Sequence, residues 1–196
     1  MHAVFLHHPP KKTLSKPFLK AFQCLAVMVS VVLAPALADE YTDVSQLMRS
    51  GKSADALAKI ELHLVTKPRD PQMRFFKGLI QRDQGKAIDA INTFTTLTED
   101  YPEIPEPYNN LAVLFAAQNQ FEKARAALEM AIRNNPTYAV AYENLGDVHA
   151  RLAAQAYDKA LQLDSTNTGV PPKLALAKEL FSRGAKASPN GSPSQK

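Results

Sequence analysis

Apolar side chains return at steps of three and four through most of this chain, the rhythm of helices that bury one face. The stretch from Tyr108 to Ala131 shows it most plainly. Tyr108, Leu111, Ala112 and Phe115 mark one amphipathic segment, and Phe121, Ala124, Leu128 and Ala131 mark a second. The rhythm is cut at Pro68, Pro102 and Pro136, which lie 34 residues apart. A proline ring cannot continue the helical hydrogen-bond ladder, so each one closes a segment. A period near 34 residues predicts paired helices stacked into a one-dimensional array, an all-α solenoid.

Setting position 1 of each unit at Leu37, Pro71 and Pro105 puts the three prolines at position 32. Small residues then recur at positions 8 and 20 (Gly78 and Ala112; Ala56, Ala90 and Ala124), and large apolar ones at 24 (Ile60, Phe94 and Leu128). Small residues let two antiparallel backbones meet, while large ones fill the space around them. Gly51 and Gly85 share position 15, where the first helix of each pair must end in a turn that suits a residue tolerating positive φ. With these residues in phase over three units, the chain resembles the tetratricopeptide repeat family from about Asp39 to Ser165. The resemblance implies a solenoid of helical hairpins, with units at about 37–70, 71–104 and 105–138, closed by a C-terminal capping helix.

A fourth unit, 139–165, starts in register with Tyr142, Leu145 and Gly146 and then loses phase. Tyr157, which looks like position 24, arrives five residues early, and no Gly or Pro occurs between Asp147 and Leu163. Apolar residues run on through Val148, Leu152, Ala156, Ala160 and Leu163, predicting one unbroken helix from about Ala139 to Leu163 instead of a hairpin. Beyond it, Pro171 and Pro172 open a stretch whose Leu174, Leu176, Leu180 and Phe181 predict an apolar stripe on a helix over 172–183 that ends at Gly184. That helix is expected to cap the last unit's open face, and the Ser-, Pro- and Gly-rich tail, 184–196, to be disordered.

Residues 1–38 are of another kind. Lys11, Lys12, Lys16 and Lys20 precede an apolar run from Ala21 to Leu33, and Ala36, Leu37 and Ala38 form a small-x-small cleavage pattern. This reads as a secretory signal peptide cut after Ala38, because ~13 apolar residues fall short of the ~20 that span a bilayer. An uncleaved anchor is the alternative. Taking the leader's four lysines from 23 basic side chains leaves 19 against 19 acidic ones. The mature chain is then near neutral and gives no support for nucleic-acid binding. The sole cysteine, Cys24, would leave with the leader, which suits an oxidising compartment without any disulfide. The expected location is secreted and bacterial periplasmic, with no stable membrane insertion after cleavage.

The mature chain keeps two histidines, His63 at position 27 and His149 at position 11, both expected to face inward. It has no glycine-rich phosphate loop and no metal-ligand spacing, so no catalytic residue, cofactor or metal is expected and the chain is read as a non-enzyme. The family resemblance instead implies a ligand groove at positions 2, 5, 9, 12 and 13 of each first helix. Those positions carry Gln72, Phe75, Leu79, Arg82 and Asp83, then Glu106, Asn109, Val113, Ala116 and Ala117, then Val140, Glu143, Asp147, Ala150 and Arg151. Asn110 and Asn144, at position 6, are candidates either for contact to a peptide backbone or for a structural hydrogen bond. Of the adjacent Phe75 and Phe76, one is a candidate anchor for a partner unless both pack between units.

The lysine-bearing clamp with which some family members hold a C-terminal carboxylate is absent, and Glu143 and Asp147 would repel one. The expected ligand is a peptide that is apolar at one end and neutral or basic at the other. The resulting expectation is a noncatalytic adaptor of the cell envelope that binds a segment of a partner protein. Self-association into a homo-oligomer is the alternative, followed by an accessory role beside an envelope enzyme.

Overall fold

The computed structural model describes residues 40–187, a succession of helices without a strand. Helix α1 covers 40–49, and it is followed by α2 (Ser53–Thr66), α3 (Pro71–Asp83), α4 (Ala87–Asp100), α5 (Pro105–Ala117), α6 (Phe121–Asn134), α7 (Ala139–Leu163) and α8 (Val170–Ala187). The expected signal peptide and residues 188–196 of the expected tail lie outside the described residues.

The hairpin turns follow from position 15. Gly51 and Gly85 both have φ of 74°, and the third unit fills the same place with Asn119 at 58°. Asparagine is the side-chain-bearing residue that best tolerates this left-handed region. Each turn is closed the same way, with an N–H reaching back five residues: Lys52 to Leu47 O, Lys86 to Gln81 O and Gln120 to Phe115 O, all at 2.9 Å. This is the Schellman pattern, which satisfies helix-end carbonyls. The second helix of each pair ends two residues before its proline, at Thr66, Asp100 and Asn134. Pro71 and Pro105 then start the next pair at the first helical position, where no N–H is needed.

In the fourth unit position 15 is Ala153, a residue that favours the helix and disfavours positive φ. There α7 continues unbroken for 25 residues, over the span expected from the sequence. Its length, ~37 Å at 1.5 Å per residue, leaves the usual second helix of that unit unmade. One consequence corrects the sequence reading: His149, expected to face inward, is exposed, as are Tyr142 and Gly146 on the same side. In the third unit the equivalent Tyr108, Ala112 and Phe115 are buried or half-buried against the core around α6.

Helix α8 packs against α7 and is tied to it by Lys178 Nζ and Asp158 Oδ1 at 3.2 Å. It starts two residues earlier than predicted and continues through Gly184 to Ala187. Prolines 171 and 172 fit its first turn, and an interior glycine costs a helix only ~1 kcal/mol, too little to stop it. The predicted leucine stripe is also corrected. Val170 and Ala177 are buried and Leu174 is half-buried, whereas Leu176 and Leu180 are each 64% exposed on the outer side.

Two apolar clusters hold the array together. The first joins Val44, Ala56, Ile60, Met73 and Ile80; the second runs from Ala90 and Phe94 through Ala112, Ala124 and Leu128 to Ala141 and Val148. Phe75 and Phe76 divide between them, Phe75 packing on the second cluster and Phe76 on the first. Consecutive helical residues point about 100° apart, so the pair straddles the boundary between units instead of presenting a free anchor.

Candidate functional site

Helices α3, α5 and α7 are the first helices of successive units, and the predicted groove residues lie along them. The structure gathers some of these residues into two recesses. The larger, of about 440 Å³, lies between α5 and α7 and is lined by Ala112, Val113, Ala116, Ala117, Asn119, Leu128, Asn144, Asp147, Val148 and Arg151. The smaller, of about 340 Å³, lies between the starts of α3 and α5 and is lined by Pro71, Gln72, Phe75, Leu97, Ile104, Glu106 and Pro107. Leu79, Arg82, Asp83, Asn109, Asn110, Val140, Glu143 and Ala150 line neither.

Several of those eight are spent on joining helices. Arg82 donates from Nη1 to Asn110 Oδ1 at 2.6 Å and grips Asp83 Oδ1 through Nε and Nη2 at 2.9 and 2.8 Å. Asn110 in turn donates Nδ2 to the Glu106 carbonyl at 2.9 Å. Asn144 donates Nδ2 to Asn109 Oδ1 at 2.8 Å, which ties α7 to α5. Asn109 and Asn110 are buried with their amides in these bonds, whereas Asn144 is half-buried and also lines the larger recess. Ala150 is buried as well, together with Ala154, and neither belongs to the two apolar clusters. Phe75 keeps a half-buried surface in the smaller recess while its ring meets Phe94 at a centroid distance of 5.7 Å.

The open surface has an apolar floor and an acidic rim. Val113 is 41% exposed in the larger recess. Among the described residues Glu106, Glu143 and Asp147 are exposed and none forms an ion pair. Arg151, by contrast, leans its guanidinium over the Phe121 ring, 5.6 Å from the centroid. The reach of the Glu106 charge is visible at Tyr138, whose hydroxyl is pushed above its ordinary pKa by burial and then by Glu106.

Sequence reasoning did not assign to the groove Ala112, Asn119, Leu128 and Val148 in one recess or Pro71, Leu97, Ile104 and Pro107 in the other. Asn119 was within reach of it, since it shares the register position of Gly51 and Gly85. The others come from second helices, from loops and helix starts or from the inward sides of first helices, which a list of groove positions leaves out.

A second polar cluster lies at the array's first unit. His63 Nδ1 stands 2.6 Å from Glu40 Oε2 and its Nε2 3.2 Å from Asp70 Oδ2, with the ring buried as expected. Among the described residues no three His, Cys, Asp or Glu side chains form a group that could hold a metal ion, and no helix is long and apolar enough to cross a membrane.

Comparison with known proteins places this geometry in a family. Residues 77–139 and 110–168 each match the model for the Tetratricopeptide repeat. The Hsp70-Hsp90 organizing protein of Triticum aestivum is 29% identical over 120 residues, 59% of this chain and 21% of that protein. The chloroplastic tetratricopeptide repeat domain-containing protein PYG7 of Arabidopsis thaliana is 29% identical over 85 residues, 41% of this chain and 28% of that protein. The chain spans about a fifth to a third of the length of the curated relatives it matches. Among solved structures, a thermophilic TPR protein of Thermus thermophilus has a TM-score of 0.54 at 25% identity, covering 76% of this chain and 89% of that one. The type III secretion chaperone SycD of Yersinia enterocolitica, solved with a peptide of the translocator YopD, has a TM-score of 0.53 at 18% identity, covering 64% and 95%, and shares the fold. With family-model matches over 77–168 and the same hairpin turn repeated three times, the stretch 77–168 carries the tetratricopeptide repeat.

Proposed function

We propose that this protein is a noncatalytic adaptor that holds a peptide segment of a partner protein against α3, α5 and α7, and that it works in the periplasm of a bacterial envelope. The observation that carries the first part is the larger recess, with exposed Val113 on its floor and unpaired Asp147 on its rim. An open apolar surface edged by a few fixed polar groups suits a peptide. Two similar proteins support it by what their names state: the Yersinia chaperone is solved with a translocator peptide, and the wheat protein organizes Hsp70 and Hsp90. The periplasmic part rests on the leader, with its four lysines, short apolar run and small-x-small site.

The test is affinity capture from an envelope extract with the folded protein, its Ala117→Trp variant and its Ala126→Trp variant. Ala117 is an exposed lining residue of the larger recess, and Ala126 is an exposed residue of α6 that lines neither recess. A partner retained by wild type and Ala126→Trp but lost with Ala117→Trp is the expected result. Equal retention by all three would remove the groove from the account.

Self-association is a second reading, and Leu176 and Leu180 favour it. They stand one turn apart on the outer side of α8 and leave an apolar ridge in solvent. Sedimentation at rising concentration reads it directly: a constant monomer mass counts against it, and growth abolished by Leu176→Ser with Leu180→Ser supports it.

A further inference from the structure

From the placement of the two recesses we infer that the partner segment is an extended peptide with two apolar side chains about five residues apart and a basic residue beside the second. The inference rests on the adaptor reading and specifies its ligand. Helix α5 contributes to both recesses but at different heights. Glu106 and Pro107 line the smaller one, and Val113 and Ala117 line the larger. The offset between these pairs is about eight residues, or ~12 Å along the helix axis. The recesses also sit on opposite sides of α5, one toward α3 and one toward α7, which adds a lateral step of ~10 Å, the usual spacing of packed helices. The diagonal is ~15 Å, the reach of about five extended residues at ~3.3 Å each.

Charge sets the rest of the ligand. The sequence alone placed apolar character at one end of the groove and acidic character at the other. In the structure both recesses have an apolar floor, and each has a carboxylate on its lining, Glu106 in one and Asp147 in the other. Asp147 is free of ion pairs, and Glu143 stands one turn before it on α7, also unpaired. Arg82 is held by Asp83 and Asn110 and lines neither recess, and Arg151, which shares the larger recess with Asp147, leans over the Phe121 ring, so Asp147 and Glu143 together outnumber the one cation there. A lysine or arginine next to the second apolar side chain meets this pair of carboxylates, whereas a carboxylate there meets like charge. The partner's polarity is thus opposite to that of an acidic C-terminal ligand.

Fluorescence anisotropy with the full chain tests this using three labelled nonapeptides of Gly and Ser. The first carries Leu at its second and seventh positions and Lys at the eighth; the second replaces that Lys with Glu; the third keeps the Lys and sets the leucines two apart. The first should bind at least tenfold more tightly than either of the others. Asp147→Lys, with an unchanged melting profile, should reverse the preference between Lys and Glu peptides. If the three bind wild type within twofold of one another while Ala117→Trp still blocks them, this inference falls and the adaptor reading stands. If Ala117→Trp has no effect on any peptide that binds, or if none binds, the groove itself is not the site and both fall.

Discussion

Gly78 sets the closest approach between the two helices of the second unit. A Cβ placed there would lie 2.6 Å from Cε1 and 2.7 Å from Cζ of Phe94, closer than carbon atoms pack. The third unit solves the same contact with Ala112 against Leu128, trading a larger position 8 for a smaller position 24. Gly78→Ala should therefore destabilise the protein by about 1–3 kcal/mol despite alanine's better helix propensity. Adding Phe94→Leu to it should return part of that loss, so that a urea double-mutant cycle shows coupling. Additive effects would mean that the two helices are farther apart than described. Asp70 works on another residue-scale contact, between α1 and α3. Its carboxylate accepts from the Met73 N–H at 2.9 Å and from the Tyr41 hydroxyl, and it faces His63. Burial pushes its pKa up, but Tyr41, the Met73 N–H and His63 together hold it below the ordinary 3.8. A lowered folded value gives stability that is complete above the unfolded pKa and is lost as pH falls through the folded one. Asp70→Asn should cost about 1–2 kcal/mol at pH 7 and should reduce the loss of stability between pH 4 and pH 2, read from urea midpoints across that range. Tyr41 runs the other way: the hydrogen bond to Asp70, then burial, push its hydroxyl up to about 12, so its contribution is complete below 10 and fades as pH rises through 12.

The helices themselves are decided by a few backbone positions. Gly51, Gly85 and Asn119 turn the chain because they accept positive φ, and Ala153 at the same register position lets α7 run on. Ala153→Gly tests the unbroken helix. Inside α7 it should cost about 1 kcal/mol, whereas at a hairpin turn of positive φ, as at Gly51 and Gly85, glycine would stabilise the protein relative to alanine. The continued helix also leaves His149 uncovered while His63 is buried between carboxylates. Diethylpyrocarbonate should modify His149 quickly and His63 only on unfolding, and equal rates would contradict the missing second helix. This level of structure was legible in the sequence because it depends on local chemistry: proline stops, a left-handed turn residue, and spacing of three and four. What stayed hidden depends on tertiary neighbours. Nothing local distinguishes Asn109 and Asn110, committed to inter-helix bonds, from Gln72 or Val113, which remain open. Nor does Gly184 show by its identity that α8 passes through it. His149 was misplaced for a related reason, since its expected burial assumed a second helix that the lost phase had already removed.

At the scale of the whole molecule, the first helices of three successive units share one face, and its free surface is apolar with unpaired carboxylates. The inter-helix bonds from Arg82 to Asn110 and from Asn144 to Asn109 stiffen that face without using Val113, Ala117 or Asp147. A rigid face needs little reordering to take up a flexible segment, which favours binding. Phe75 is a poor probe of it, because truncating a ring packed on Phe94 also loosens the core. Exposed positions are better. The most direct measurement places a photo-crosslinking amino acid at position 113 or at position 126 and irradiates each protein in an envelope extract. The account predicts that one defined partner is captured from position 113 and not from 126, with the crosslinked partner residues in a single short segment. Capture from both positions alike, or from 126 alone, would contradict it.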